Sequence, residues 1–181
     1  MEYEAKSFSI KDGRAAVLRN PGPEEAPELL AFLRETAAET EFLLNYPEEC
    51  AWTEEQERVL LARFIDNPDQ LFLACYVEAT LAGTCNLQRF GKLKTRHRAE
   101  LAIDLRRAYW GQGIGTAMFE AMIDAARGMG VAQLELDYIE GNDRARALYE
   151  KMGFVRYAEH PDAIRLKDGH SLALIAMRRT L

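Results

Sequence analysis

The chain has 181 residues, 48% of them apolar and 29% charged, with a formal net charge of −6. That length and balance fit one folded domain, residues 1–181, with a real core, and they exclude a disordered or fibrous chain. The acidic balance, with a sequence pI of about 5.2, argues against nucleic acid or an anionic membrane as partner and suits a cationic or amine substrate.

The N-terminal MEYEAKSFSIKDGR is charged and lacks the apolar core of a signal peptide, and no apolar run reaches the roughly 18 residues of a membrane span. RAAVLRN (14–20) predicts a short strand that ends in the turn NPGP. Residues 24–39 predict a helix with Leu29, Leu30, Phe32 and Leu33 available for burial. EFLLNYPEECAW (41–52) is irregular. Thr53 with Gln56 three residues on forms a capping box that opens a helix through Val59, Leu60 and Phe64. Residues 70–90 predict two antiparallel strands joined near Glu78–Thr80, and GKLKTRHR is a basic loop. Cys50, Cys75 and Cys85 form no CxxC pair, so neither zinc nor a disulfide framework follows, no metal is expected, and a reducing cytoplasm is the expected setting.

AELAIDL (99–105) predicts a strand, RRAYWGQGIG a loop, and Thr116 to Met129 an amphipathic helix stopped by Gly130. AQLELDYI (132–139) is a further strand. Asp143 to Met152 is a short helix with Gly153 as its stop, and FVRYAEH and SLALIAMRR are final strands around the turn LKDGHS. The pattern predicts a mixed α/β or α+β domain with a single sheet.

The stretch YWGQGIGTA places three glycines at alternate positions, Gly111, Gly113 and Gly115, between a strand and a helix. The dinucleotide fingerprint G-x-G-x-x-G fails here: its third position falls on Thr116 or Met118, and the loop follows the fourth predicted strand rather than the first. No Gly-Lys-Ser/Thr follows, so a P-loop is excluded. Glycines leave room for a ligand to approach the backbone, and free N–H groups at a helix N-terminus attract an anion. The loop itself contains no Lys or Arg, so a pyrophosphate held there is held by amides. The alternative is a tight strand-to-helix connection and nothing more.

WGQGIGTA after AELAIDL resembles motif A of the GNAT N-acetyltransferases, with Trp110 standing where that family usually has Arg or Gln. NDRARALYEKMGF (142–154) resembles the family's motif B. The two signatures, over 99–129 and 132–155, come in the family's order with one helix and one strand between them. The resemblance implies a central, mostly antiparallel sheet of six to seven strands flanked by about four helices. It implies acetyl transfer from acetyl-CoA to a primary amine of a small molecule, peptide or protein, by direct attack in a ternary complex. The alternatives are a non-catalytic acyl-CoA-binding module and a nucleotide-dependent oxidoreductase.

The resemblance also assigns residues. The amides of Gln112, Gly113, Ile114, Gly115 and Thr116 hold the coenzyme pyrophosphate. The backbone of Leu101, Ala102 and Ile103 pairs with the pantetheine arm as a pseudo-strand. Asn142 approaches the coenzyme, against the alternative of an N-cap alone, and Arg146, with Arg144 near it, can reach the coenzyme phosphates, against the alternative of an exposed helix charge. Tyr149 is the acid that protonates the departing thiolate, against the alternative of a core aromatic. Glu100 is the base, directly or through water, against the alternative of an outward strand position. Lys92, Lys94, Arg96 and Arg98 read as a solvated basic run, with contact to an acidic group or the coenzyme 3′-phosphate as the alternative, and His97 reads as a solvated loop histidine, against a part in the site. The acceptor region is expected from residues 24–66 and 156–172, with 41–52 as one wall. The exposed final strands leave a homodimer open.

Overall fold

The computed structural model describes all 181 residues. Eight strands form one sheet in the order β1-β2-β3-β4-β5-β6-β8-β7. They are β1 (Lys6–Ser9), β2 (Ala15–Arg19), β3 (Gln70–Val77), β4 (Thr80–Arg89), β5 (Arg98–Leu105), β6 (Gln133–Ile139), β7 (Val155–Arg165) and β8 (Ser171–Thr180). Four helices accompany them: α1 (Ala26–Glu39), α2 (Glu54–Asp66), α3 (Ile114–Gly128) and α4 (Asp143–Lys151). The sheet thus has eight strands where six to seven were expected. The difference is β1, four largely exposed residues whose pairing along β2, not their own pattern, makes them a strand.

Every neighbouring pair is antiparallel except β5 with β6. The central strand β3 reads LFLACYV because both its faces are covered, so apolar residues run on without alternation. Leu71, Leu73 and Cys75 join Met118, Phe119 and Met122 of α3 in the larger core. Ala74 and Tyr76, on the other face, meet Leu29 and Phe32 of α1 and Leu61 of α2. The predicted capping box opens α2: the Thr53 hydroxyl accepts from the Gln56 N–H at 3.2 Å, and Gln56 Oε1 accepts from the Thr53 N–H at 2.9 Å.

Helix α3 starts two residues before the expected Thr116. Gly113, at φ +93°, is its N-cap, and Ile114 already points into the core with no exposure. Helix α4 ends in a left-handed Gly153 at φ +81°, and the Phe154 N–H returns to the Tyr149 carbonyl at 2.9 Å. That closure fixes the last turn of α4 against the sheet. No helix is long and apolar enough to cross a membrane.

Candidate active site

The site is made by two strands that part. β5 pairs with β4 along its whole length from Ala99 to Leu105, but with β6 only at Arg98, Ala99 and Glu100. β6 meanwhile runs on to Ile139 in register with β8. From Leu101 onward the facing edges of β5 and β6 therefore have no strand partner, and their backbone groups need one from elsewhere. The gap opens into a cleft of about 820 Å³ lined by β5, β6, α1, the α1–α2 connection, the glycine loop and α4.

One end of the cleft is the N-terminus of α3. Gly111 and Gly113 both have left-handed φ, +76° and +93°, and a Cβ at either would meet no protein atom within 4 Å. The first intrahelical bond runs from the Ala117 N–H to the Gly113 carbonyl at 3.1 Å, so the amides of Ile114, Gly115 and Thr116 are left for an external acceptor. Gly115 serves packing as well, since a Cβ there would come within 2.8 Å of Leu148 Cδ2 on α4. Lys11, Arg144 and Lys151 bring positive charge to this end, and Lys151 Nζ donates to Thr116 Oγ1 at 3.0 Å. An open cradle of amides without side chains, flanked by three cations, fits a pyrophosphate.

The other end is more apolar. Leu33, Thr36 and Ala37 of α1 and residues 42–45 of the α1–α2 connection line it. The ring of Phe42 reaches Gly141 in the β6–α4 turn, where a Cβ would lie 3.6 Å from it. Two contacts tie the end of α1 to the loop after β5: Arg106 pairs with Glu35 at 2.8 Å, and the Arg107 N–H donates to Glu39 Oε2 at 2.7 Å. The β7–β8 turn closes on the α1–α2 connection, where the Lys167 N–H donates to Tyr46 Oη at 3.0 Å and Lys167 Nζ pairs with Glu48. A neighbouring hollow of about 630 Å³, lined in part by Ile164, Arg165 and Leu166, adjoins this end. Both segments expected to form the acceptor region thus meet beside the cleft.

Tyr149 stands where both ends meet. It is 8% exposed and packed against Phe119, Tyr138 and Phe154, with ring centroids 5.5, 6.0 and 6.5 Å away. It is therefore a core aromatic and a cleft residue at once. Its hydroxyl has no hydrogen-bond partner in the protein, and burial, then the charge of Asp104, raise its pKa above the ordinary phenol value. Asn142 Oδ1 accepts from the Ala145 N–H at 3.1 Å, the expected N-cap, and the residue also lines the cleft.

Leu101, Ala102, Ile103, Gly113, Gly115, Thr116, Asn142 and Tyr149 all line the cleft. Gln112 and Ile114 lie outside the lining, Ile114 being buried; the Gln112 carbonyl accepts from the Lys11 N–H at 3.1 Å. Arg146 lies outside the lining and pairs with Asp143 at 3.1 Å, and Arg144 takes its place. Glu100 lies outside the lining, largely exposed at the last position where β5 and β6 still pair, opposite Glu135. Loss of part of its hydration, then Asp137 and Glu135, raise its carboxyl. Lys92, Lys94, Arg96 and His97 are exposed and away from the cleft, whereas Arg98 belongs to β5 and pairs with Glu135 instead of standing in a solvated run. Asp104 and Lys11 are lining residues that the sequence did not single out, and Asp137 lines the cleft as well.

The splayed sheet, the amide cradle and an unbonded phenol thus share one cleft. Residues 31–154 match the model of the acetyltransferase (GNAT) family, and the chain belongs to that family. Over 94 residues it is 33% identical to the N-alpha-acetyltransferase RimI of Mycobacterium tuberculosis, covering 52% of this chain and 58% of that one. Over 51 residues it is 49% identical to the mycothiol acetyltransferase of Beutenbergia cavernae, covering 28% of this chain and 17% of that one. The matched stretch thus spans less than two thirds of either curated relative. A GNAT acetyltransferase structure from Streptococcus pneumoniae superposes with a TM-score of 0.87 at 26% identity, over 92% of this chain and 99% of that one. The fold is shared as well with a phosphinothricin acetyltransferase from Sinorhizobium meliloti solved with acetyl-CoA, at a TM-score of 0.78 and 17% identity over 92% of this chain and 88% of that one.

Proposed function

We propose that this protein transfers an acetyl group from acetyl-CoA to a primary amine by direct attack in a ternary complex. The observation that carries the reading is the parting of β5 from β6, which aligns unpaired backbone of Leu101–Ile103, the amide cradle at α3 and the Tyr149 hydroxyl along one cleft. The cradle binds the pyrophosphate through the amides from Gln112 to Thr116, and the edge of β5 pairs with the pantetheine amides. An N–H of that edge supports the carbonyl oxygen as it gains negative charge. Tyr149 gives its proton to the departing sulfur. A phenol that burial holds neutral far above neutral pH is an acid available throughout the working range. A carboxylate of the cleft receives the acceptor's proton, directly or through water. Coenzyme-dependent thiol release over a panel of amines tests the reading, together with thermal-shift titration against acetyl-CoA, coenzyme A and NAD. Stabilisation by acetyl-CoA with amine-dependent thiol release is expected. Stabilisation by NAD alone, or acetyl-CoA binding with no amine turned over, overturns it.

A further inference from the structure

Asp104 is the second-last residue of β5, roughly 13 Å along the strand from Glu100. It faces the same side as Thr84, its cross-strand partner on β4, and lines the cleft beside Leu33, Thr36 and Ala37 of α1. No hydrogen bond or ion pair within the protein engages its carboxyl, and burial alone raises its pKa from 3.8 to about 6. The surrounding elements bring no counter-charge to it. On α4, Tyr149 feels Asp104 as a negative neighbour, and on β4 so does Cys85. β6 offers Asp137 and Tyr138, and α1 offers Glu35, which is already paired with Arg106. Lys11, from the β1–β2 turn, lines the cleft beside the glycines and leaves the carboxyl unpaired. A desolvated carboxyl that faces an open cleft without a cation of its own chain favours a cation from outside.

We propose that Asp104 meets the acceptor's ammonium group inside the cleft and takes its proton, so that the acceptor is a primary amine that arrives charged on an apolar body. The inference rests on the acetyl-transfer reading above. Phe42, Leu43 and Leu44 receive the apolar body, Leu44 being 71% exposed in the free protein. The steps balance. The ammonium gives one proton to the Asp104 carboxylate, leaving a neutral amine and a neutral acid. The nitrogen lone pair forms the C–N bond to the acetyl carbon, and the C–S bond breaks with its electron pair on sulfur. Tyr149 protonates that sulfur and regains a proton from the new amide nitrogen through water. Ammonium and thioester thus become amide, thiol and one proton, which rests on Asp104 until water removes it. The charges also set an order. Ionised Asp104 holds the Tyr149 phenol protonated, and once Asp104 is neutral that hold is released as the thiolate forms.

The test compares phenethylamine, an ammonium ion at neutral pH, with phenylhydrazine, which is already neutral there. kcat/KM for each is measured across pH in the wild type, Asp104→Asn, Asp104→Glu and Glu100→Gln, with acetyl-CoA binding followed by thermal shift. In the wild type, kcat/KM for phenethylamine should fall on the acid side near pH 6. Asp104→Asn should abolish that limb and lose about 100-fold or more with phenethylamine, yet stay within about tenfold with phenylhydrazine and keep its acetyl-CoA shift. Asp104→Glu should recover the preference for phenethylamine, and Glu100→Gln should keep the limb. Equal losses with both amines overturn the proposal. So does a limb that vanishes in Glu100→Gln and persists in Asp104→Asn. If Asp104→Asn no longer binds acetyl-CoA, Asp104→Glu decides: binding without recovery of phenethylamine also overturns it. A wild type that transfers acetyl to neither probe, nor to spermidine or lysine amide, sinks the acetyl-transfer reading itself.

Discussion

Trp110 Nε1–H donates to the Leu105 carbonyl at 2.8 Å, so the indole that opens the glycine loop is tied to the last residue of the strand before it. Arg144 of α4 covers the same ring, its guanidinium carbon 4.8 Å from the centroid, with Arg107 at 5.4 Å. Where the family's motif usually places a polar or cationic side chain, this chain has a ring that joins β5, the loop and α4. A part-buried hydrogen bond and a cation–π contact each contribute about 0.5–1.5 kcal/mol. Trp110→Leu, which removes both, is expected to lower stability by roughly 1–3 kcal/mol and to weaken acetyl-CoA binding several-fold. Urea unfolding and isothermal titration measure the two effects. Unchanged acetyl-CoA affinity would show that the ring serves the fold alone.

Tyr149→Phe keeps the aromatic packing against Phe119, Tyr138 and Phe154 and removes only a hydroxyl that bonds to nothing in the protein. Stability should therefore stay within about 0.5 kcal/mol of the wild type, or rise. Loss of a general acid lowers kcat by about 10²–10⁴-fold, and the KM for acetyl-CoA should change little. Steady-state kinetics with direct thiol detection separates the two. A thiol product readily leaves as its anion at high pH, so the deficit should shrink on the alkaline side. A variant with wild-type kcat across pH removes Tyr149 from the chemistry.

The features that local chemistry writes were legible in the sequence. Thr53 and Gln56 announce α2 and Gly153 marks the end of α4, while the start of α3 fell two residues before its expected place and Tyr149 stood out by its motif rather than by its spacing. The parting of β5 and β6 is not local: it depends on how far each strand follows its other neighbour, β4 or β8. Along the chain nothing sets Asp104 and Asp137 apart from other polar strand residues. Only that divergence turns them toward a cavity. Arg144 and Arg146 could not be ranked by sequence, because two residues on a helix point about 200° apart and the placement of Trp110 decides which one faces the loop. β1 escaped notice for a related reason, having no alternation of its own over four residues.

Glu25 stands at the N-terminus of α1. Arg19 clasps it with two bonds of 2.7 and 2.8 Å, the Gly22 N–H donates to it at 2.7 Å, and Tyr76 Oη donates from β3. Burial alone would raise this carboxyl, but the bonds from Arg19, Tyr76 and Gly22 outweigh it and bring the pKa from 4.5 to about 2. A depressed folded-state value means that the contribution is fully present above pH 4.5 and is lost as pH falls through about 2. The shift corresponds to an upper limit of roughly 3 kcal/mol. Glu25→Gln should therefore destabilise the protein by about 1–3 kcal/mol at pH 7, with the gap to the wild type narrowing below pH 4. Urea unfolding at stepped pH values measures this. A gap independent of pH would assign the effect to packing rather than to the ion pair.

Asp104 gives the opposite sign. Its pKa lies above the ordinary 3.8, at about 6, so the fold favours the protonated carboxyl. That preference is fully satisfied below pH 3.8 and is lost as pH rises through 6. Above that the wild type carries a desolvated charge worth up to roughly 3 kcal/mol of lost stability. Asp104→Asn removes the charge and keeps the size. It is expected to raise the melting temperature by about 2–8 °C at pH 8, with the gain fading toward pH 4. Calorimetry at the two pH values reads the difference directly. A residue whose removal stabilises the protein while lowering its turnover is what a functional site retains against the interest of the fold. An unchanged melting temperature at pH 8 would mean that water reaches the carboxyl freely and that the cleft does not hold it in want of a cation.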